Sequence, residues 1–290
     1  MIIVKLKGGL GNQMFQYAFG KSVAQLLNQH LYLDLSFFED QEKREGHTPR
    51  HYELGILNIH ARILEKKQLN KLGANFDLKS RIKCAIKSKF NTVKIKEKKT
   101  LVNISGLSKM RSYYFDGYFQ NEKYFAQLTH KLKKDFLPKE PLDQKTQNCI
   151  EKISSQNAVS IHIRRGDYIS DNITNAHHGT CGIEYYQRAI KLISEQVENP
   201  HFYIFSDDIE WVNEHFKTGH PQTVITDYQQ TNNFIDIVLM SHCKHHIVAN
   251  SSFSWWGAWL GRNDKKIVIA PKDWFVEGGK EIACKNWIKI

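Results

Sequence analysis

Apolar positions along the chain follow two different periods. Short runs read as strands: IIVKL (2–6), LYLDL (31–35), AVSIHIR (158–164), FYIFS (202–206), TVIT (223–226), HHIVAN (245–250) and KIVIA (266–270). From Asn12 onward, Phe15, Ala18, Phe19, Val23 and Leu26 keep helical spacing, so the chain begins strand, glycine turn, helix, strand. Helices are also expected over 184–197, 209–216, 234–242 and 255–260. Their alternation with strands demands a parallel sheet covered on both faces, with KIVIA as its last strand. The aromatic-dense segment YYFDGYFQNEKYF (113–125) reads as a strand or turn leading into a helix near Asn121. LPKEPL, with Pro138 and Pro141, is the strongest linker signal. The expectation is two domains, 1–150 and 151–290.

Composition changes this picture little. At 290 residues, 41% hydrophobic and 24% charged, the chain can bury a sizeable core. No apolar run is long enough to span a membrane. The apolar part of MIIVKLKGGLGNQ is too short for a secretory signal and no cleavage site follows it, so a cytoplasmic location is expected. Cys84, Cys149, Cys181, Cys243 and Cys284 are scattered without a C-x-x-C pair, which favours reduced thiols over a disulfide frame or a zinc site. Charge is more telling. Residues 1–150 hold 27 Lys and Arg against 14 Asp and Glu, and residues 151–290 hold 14 against 16, so net charges are +13 and −2. The densest basic stretch is 79–99. Its partner could be nucleic acid, an anionic membrane surface or only water.

In open parallel sheets, ligands sit beyond the carboxyl ends of the strands. Those ends here read HIRRGD, SDD, TD and NSSFS, which together resemble a binding crevice. Alternation puts Ile161 and Ile163 on one face of their strand and His162 and Arg164 on the other, with Arg165 at the exit. A guanidinium fork suits paired phosphate oxygens, while an ion pair with Asp167 would account for one of the two arginines. Ser251, Ser252 and Ser254 offer an anion site at a helix start, or one of them simply caps the helix. GGLGNQ is not a dinucleotide fingerprint, because Met14 stands where the third glycine belongs. There is no D-x-D sequence; Asp208-x-Glu210 is the nearest, so phosphate charge is expected to be met without a metal.

GGLGNQMFQYAFG (8–20), GYFQNEKYF (117–125), HIRRGDY (162–168), FSDD (205–208) and DIVLMSHCKHHIVANSSFSWWGAWL (236–260) together resemble the bacterial α-1,2-fucosyltransferases of glycosyltransferase family 11. The resemblance runs nearly end to end, except around residues 60–105. It implies an α/β, GT-B-like fold of two Rossmann-type domains, with an acceptor-side domain followed by a donor domain. It implies GDP-β-L-fucose as donor, the 2-hydroxyl of a galactoside as acceptor, inversion, and no metal or other cofactor. It further implies that Arg164 and Arg165 bind the GDP phosphates and that Asp236 meets the guanine edge; a helix N-terminal acid is an equally good reading of Asp236. The donor site is expected to draw on His162, Asp167, Asp207, Asn250, Ser251, Ser252, Phe253 and Ser254, and on Gly9, Gly11, Asn12 and Gln13. Asp34 and Asp116 are the candidates for the base, each also readable as a structural carboxylate, and a loose transition state without a strong base is the alternative. A lipid-linked acceptor used in surface glycan or O-antigen synthesis would bring the enzyme to the inner membrane face, with Lys79, Arg81, Lys83, Lys87 and Lys89 as contacts. Three other readings compete. One is a transferase of another linkage or GDP-sugar. Another is a non-catalytic sugar- or nucleotide-binding protein stacking Tyr113, Tyr114, Phe115, Trp255 and Trp256 on its ligand. A nucleic-acid-binding protein is disfavoured because no recognised module is present.

Overall fold

A computed structural model of the chain describes residues 1–39, 49–65, 67, 92–98, 100–165, 181–226, 233–275 and 281–290. Asp167 and residues 79–91, which carry the five basic residues singled out above, lie outside the described residues. The chain forms two compact units, Met1–Lys139 and Glu140–Ile290. A division at 150/151 would cut helix α4, Gln144–Ser154, whose Asp143 N-cap accepts the Thr146 amide at 2.8 Å.

Unit 1 is a five-stranded sheet in the order β3-β2-β1-β5-β4. The strands are β1 (Ile2–Lys5), β2 (Leu31–Asp34), β3 (Arg62–Ile63), β4 (Thr92–Lys96) and β5 (Ser112–Asp116), and every pairing is parallel. Helix α1, Leu10–Leu27, packs on β1 and β2. Gly20 makes the contact possible, since a Cβ there would lie 2.6 Å from Val4 Cγ2 and 2.8 Å from Leu31 Cδ1. Phe15, Ala18, Phe19 and Val23 are buried as their spacing predicts, and Phe19 stacks on Phe119 at 3.9 Å. Leu26 is the exception and faces solvent. Asn28 ends the helix in the left-handed region, and the Gln29 amide reaches back to the Ala24 carbonyl at 2.9 Å. Short α2 (Ser36–Glu39) follows β2. The helix expected near Asn121 begins instead as two 3₁₀ turns, Glu122–Tyr124 and Ala126–Leu128, before α3, Thr129–Asp135.

Unit 2 is a six-stranded, all-parallel sheet in the order β11-β10-β9-β6-β7-β8. Its strands are β6 (Asn157–Ile163), β7 (Pro200–Ser206), β8 (Gln222–Val224), β9 (His245–Ile247), β10 (Val268–Ala270) and β11 (Ile288–Lys289). KIVIA is therefore not the last strand: β11 pairs beyond it. Helices α5 (Ile183–Ser194), α6 (Ile209–His215), α7 (Asn233–His242) and α8 (Ser252–Trp259) complete the unit. Ile161 and Ile163 pack with Tyr186, Ile190 and Ile193 of α5 in one apolar cluster. His162 points to the other side, its ring 5.5 Å from Phe253 of α8. Gly257 lets α8 cross α7 closely, since a Cβ there would meet Met240 at 2.8 Å.

One buried polar node fastens α1 to α3. Tyr17 donates its hydroxyl hydrogen to Asp135 Oδ2 at 2.6 Å and accepts the His60 amide at 3.0 Å, and Lys21 pairs with the same Oδ2. Burial first, and then the Asp135 carboxylate, push the Tyr17 phenol far above its ordinary value. Asp135→Ala would strand Lys21 and the phenol together, so equilibrium urea unfolding is expected to show a loss of about 3 kcal/mol, against about 1 kcal/mol for Tyr17→Phe. Unchanged stability of Asp135→Ala would contradict the node.

Candidate active site

The chain leaves β6 for β7 and β8 on one side and returns to β9 on the other, so the sheet order switches direction between β6 and β9. Crevices at such switch points, beyond the carboxyl ends, bind ligands in α/β sheets. HIRR ends β6 and NSSFS follows β9, so the two sequence motifs flank this point. Helices α5, α6, α7 and α8 each begin after a strand of the sheet, which brings their N-termini to the same edge.

The register explains what holds the arginines. Ile163 pairs with Ser206, so Arg164 and Arg165 leave β6 beside Asp207 and Asp208 leaving β7. Arg164 Nη1 lies 2.8 Å from Asp207 Oδ2, and the Arg165 amide donates to Asp207 Oδ1 at 2.9 Å. Arg165 Nε donates to Asp208 Oδ2 at 3.2 Å, and its guanidinium lies 3.8 Å over the Trp211 ring. Asp208 Oδ1 also caps α6 by accepting the Trp211 amide at 3.1 Å. Arg165 is thus fixed through Nε and by stacking, and among the described residues its two terminal amino groups have no hydrogen-bond partner. That is a preorganised fork for an oxyanion. Both arginines carry a structural ion pair, with Asp207 and Asp208. Asp207, expected as a donor ligand, has an oxygen on each arginine. Trp211, which the sequence reading did not single out, and Asp208, which it named only as the nearest approach to a D-x-D, join the candidate site by contact with Arg165. The signal available was the acidic pair directly after a strand adjacent to the arginine pair.

The remaining candidates divide sharply. Asp236 sits in the first turn of α7, half-buried, with Oδ1 shut off from solvent and without a hydrogen-bond partner among the described residues. Burial raises its carboxyl to about 7. His162 Nδ1 is likewise buried and unpartnered among the described residues; burial lowers the imidazole to about 4, Asp207 opposing and Arg164 reinforcing, so the ring is neutral. Two buried polar atoms at one sheet edge are what a polar ligand would satisfy. Within NSSFS, Ser251 is the helix cap, accepting the Phe253 amide at 3.3 Å. Ser254 donates to the carbonyls of Ala249 and Ser251. Asn250 accepts from Cys181 Sγ at 3.6 Å. Ser252 and Phe253 are partly exposed at the helix start. Trp255 and Trp256 do not stack on ligands; both are fully buried. Tyr113, Tyr114 and Phe115 are buried in β5 as well.

Unit 1 has its own switch point, between β1 and β5. Gly8, at φ +76°, and Gly9 turn the chain from β1 into α1, and Gly11 lies in its first turn. Gln13 is consumed structurally: Nε2 donates to the carbonyls of Gly8 at 3.0 Å and His51 at 2.7 Å, and Oε1 accepts the Glu53 amide at 2.9 Å. Asn12 Oδ1 accepts from Gln120 at 2.7 Å. Asp34 is buried, with Oδ1 on the Ser36 amide at 2.9 Å and Oδ2 on the Tyr114 hydroxyl at 2.5 Å. With both oxygens engaged and only 1% exposure, it is less accessible to a substrate hydroxyl than Asp116. Asp116, at the end of β5, is partly exposed and pairs with Lys7 at 3.0 Å. Burial would raise its carboxyl, but Lys7, with Lys5 and Lys94, outweighs that and holds it below the ordinary value. Among the described residues, no three His, Cys, Asp or Glu side chains converge as metal ligands.

If Asp208 positions Arg165, Asp208→Asn should separate stability from anion binding. Asparagine caps a helix about as well, so thermal stability should stay within about 0.5 kcal/mol. Affinity for pyrophosphate, read by calorimetry, should drop about tenfold as Arg165 loses its charged anchor. Unaltered pyrophosphate affinity would remove Asp208 from the site.

Comparison with known proteins identifies the family and the fold. The glycosyl transferase family 11 model matches residues 1–290. An alpha-1,2-colitosyltransferase of Escherichia coli is 37% identical, over 95% of this chain and 92% of that protein. The O-antigen biosynthesis glycosyltransferase WbnK of Escherichia coli is 32% identical, over 98% and 99%. The human galactoside alpha-(1,2)-fucosyltransferase 1 is 25% identical over 49% of this chain and 41% of its own length. Among solved structures, POFUT1 in complex with GDP-fucose aligns with a TM-score of 0.52 at 13% identity, covering 93% of this chain and 97% of that one, which shows the shared GT-B-like fold. The chain belongs to glycosyltransferase family 11.

Proposed function

We propose that the protein is an inverting, metal-independent transferase that moves L-fucose from GDP-β-L-fucose to the 2-hydroxyl of a galactoside in surface glycan or O-antigen synthesis. The observation that carries this reading is the Arg165 fork: its guanidinium lies 3.8 Å over the Trp211 ring with Nε on Asp208, and among the described residues its terminal amino groups have no hydrogen-bond partner. The bond between the anomeric carbon and the β-phosphate oxygen breaks, and its electron pair stays on the phosphate. Fixed guanidinium N–H groups and the α8 N-terminus stabilise that growing charge without reorganising. The acceptor oxygen attacks from the opposite face, and its proton passes to a base. Asp116 is proposed for that role, since it is ionised and accessible where Asp34 is neither open nor exposed. Its depressed basicity suits an oxocarbenium-like transition state, in which little proton transfer is needed early. Asp236, with its buried unpartnered oxygen, would accept the guanine N1–H and N2–H.

A second reading has a specific basis. The relative at 37% identity is named for colitose rather than fucose, so a colitosyl donor is the alternative at the same site. Incubation with GDP-fucose and GDP-colitose separately, in excess chelator, with a panel of β-galactosides and linkage analysis of the products, tests both. An α-1,2-fucosyl product is expected. Turnover of GDP-colitose alone selects the second reading, and GDP release from neither donor rejects transfer.

The Asp236 assignment fixes a pH dependence. In the free protein this carboxyl titrates near 7, raised by burial, so below that it is protonated. Guanine needs the carboxylate, so GDP affinity should weaken by about 20-fold from about pH 7.5 to about pH 5.5 as the proton competes. Asp236→Asn should bind GDP weakly at all pH values and retain only the dependence due to the β-phosphate. Parallel pH profiles for the two proteins would refute the assignment.

A further inference from the structure

Among the described residues, three segments of unit 1 meet at the amino edge of its sheet: the end of α1 with His30 (24–31), the loop before β5 (100–113), and α3 with the turn preceding it (126–134). Gln29 Nε2 donates to the carbonyls of Lys109 and Arg111 at 2.8 and 3.0 Å, and Lys131 Nζ donates to Gln25 Oε1 at 2.7 Å. Apart from Asp135 at the end of α3, which is buried on Lys21 and Tyr17, the three segments contain no aspartate or glutamate, while together they carry Lys109, Arg111, Lys131, Lys133 and Lys134. The strand ends at the opposite edge hold the acids Asp34 and Asp116. The loop tip is firmly built. The Arg111 amide donates to the Ser108 carbonyl at 3.3 Å, the Met110 amide to Ser108 Oγ at 3.3 Å, and the Ser108 amide to the Tyr113 hydroxyl at 2.8 Å. Yet this turn holds Met110 out at 93% exposure, with Leu26 at 44% on the neighbouring helix end. A fixed turn presenting a methionine between two cations contributes nothing to the core.

We propose that this edge docks on an anionic membrane surface, with Met110 entering the boundary between headgroups and acyl chains and Lys109, Arg111 and Lys131 meeting lipid phosphates. Charge complementarity selects an anionic partner. The apolar tip selects lipid over nucleic acid, because Met110 is the outermost side chain and no Phe, Tyr or Trp is exposed in these segments to stack on bases; His30 and His130 are the exposed rings there. The inference does not depend on which sugar is transferred.

Sedimentation of the full chain with phosphatidylglycerol/phosphatidylcholine vesicles and with phosphatidylcholine vesicles tests it. Binding to the anionic vesicles only, weakened by salt, is expected. Lys109→Ser with Arg111→Ser should lower it about 25-fold, at about fivefold per charge. Met110→Ser, at unchanged charge, should lower it about fivefold. All three positions are exposed, so unchanged thermal melting is the control for folding. Residues 79–91 stay intact in every variant, so a change reports on this edge. Absence of binding to anionic vesicles would overturn the proposal, as would full binding by both variants. So would loss with the charge pair but not with Met110→Ser alongside equal binding to a DNA duplex, which would mark a nucleic-acid surface.

Discussion

Two adjacent arginines at the end of a buried strand are stable only if their charge is met, and the geometry of the candidate site in unit 2 follows from how that is done. The parallel register of β6 and β7 sets Asp207 and Asp208 opposite them. A carboxylate on Nε and an indole beneath the guanidinium leave Arg165 one orientation. The cost of ordering a long side chain is thus met in folding rather than on binding, which is what preorganisation of an oxyanion site requires. The same arrangement neutralises much of the positive charge. Affinity for a diphosphate would then rest on directed N–H groups and helix N-termini rather than on net charge, in keeping with the −2 balance of residues 151–290.

Unit 1 uses a comparable sheet differently. The polar residues of its first helical turns are largely committed to backbone: Gln13 ties Gly8 to the 51–53 segment, and Gln16 ties Lys7 to Gly117. They shape the turn at the β1–β5 switch point. Asp116 is left at that edge as an accessible carboxylate, and Lys7 keeps it ionised. Asp34, identical in residue type and also at a strand end, is sealed beneath Tyr114. Environment alone separates the two.

Strongly periodic elements were legible in the sequence: β1, β2, β6, β7, β9, α1 and α5 follow from apolar spacing. β3, β4 and β11 were not, because they are short, partly exposed edge or near-edge strands whose existence depends on pairing with β2, β5 and β10. The crevice residues were legible as a set, since strand ends in an alternating chain face one edge. Their partnerships were not. The described carboxylates on the arginines, Asp207 and Asp208, come from the next strand, and Asp167, suggested by sequence proximity, lies outside the described residues. Aromatic doublets invite a reading that burial overturns: Trp255 and Trp256 suggested a sugar-stacking platform, and their full burial places them in the core. Asp34 and Asp116 looked alike for the same reason, the Tyr114 hydroxyl that closes Asp34 lying 80 residues away in sequence.

The central claim is that the carboxyl edge of the second sheet, between β6 and β9, is the nucleotide site. A crystal structure of the protein soaked with GDP tests it most directly. The account predicts diphosphate oxygens within hydrogen-bond reach of the Arg165 terminal amino groups and of the α8 N-terminus, with the guanine edge on Asp236. GDP bound elsewhere, with the Arg165 fork open and Asp236 Oδ1 still unpartnered, would contradict it.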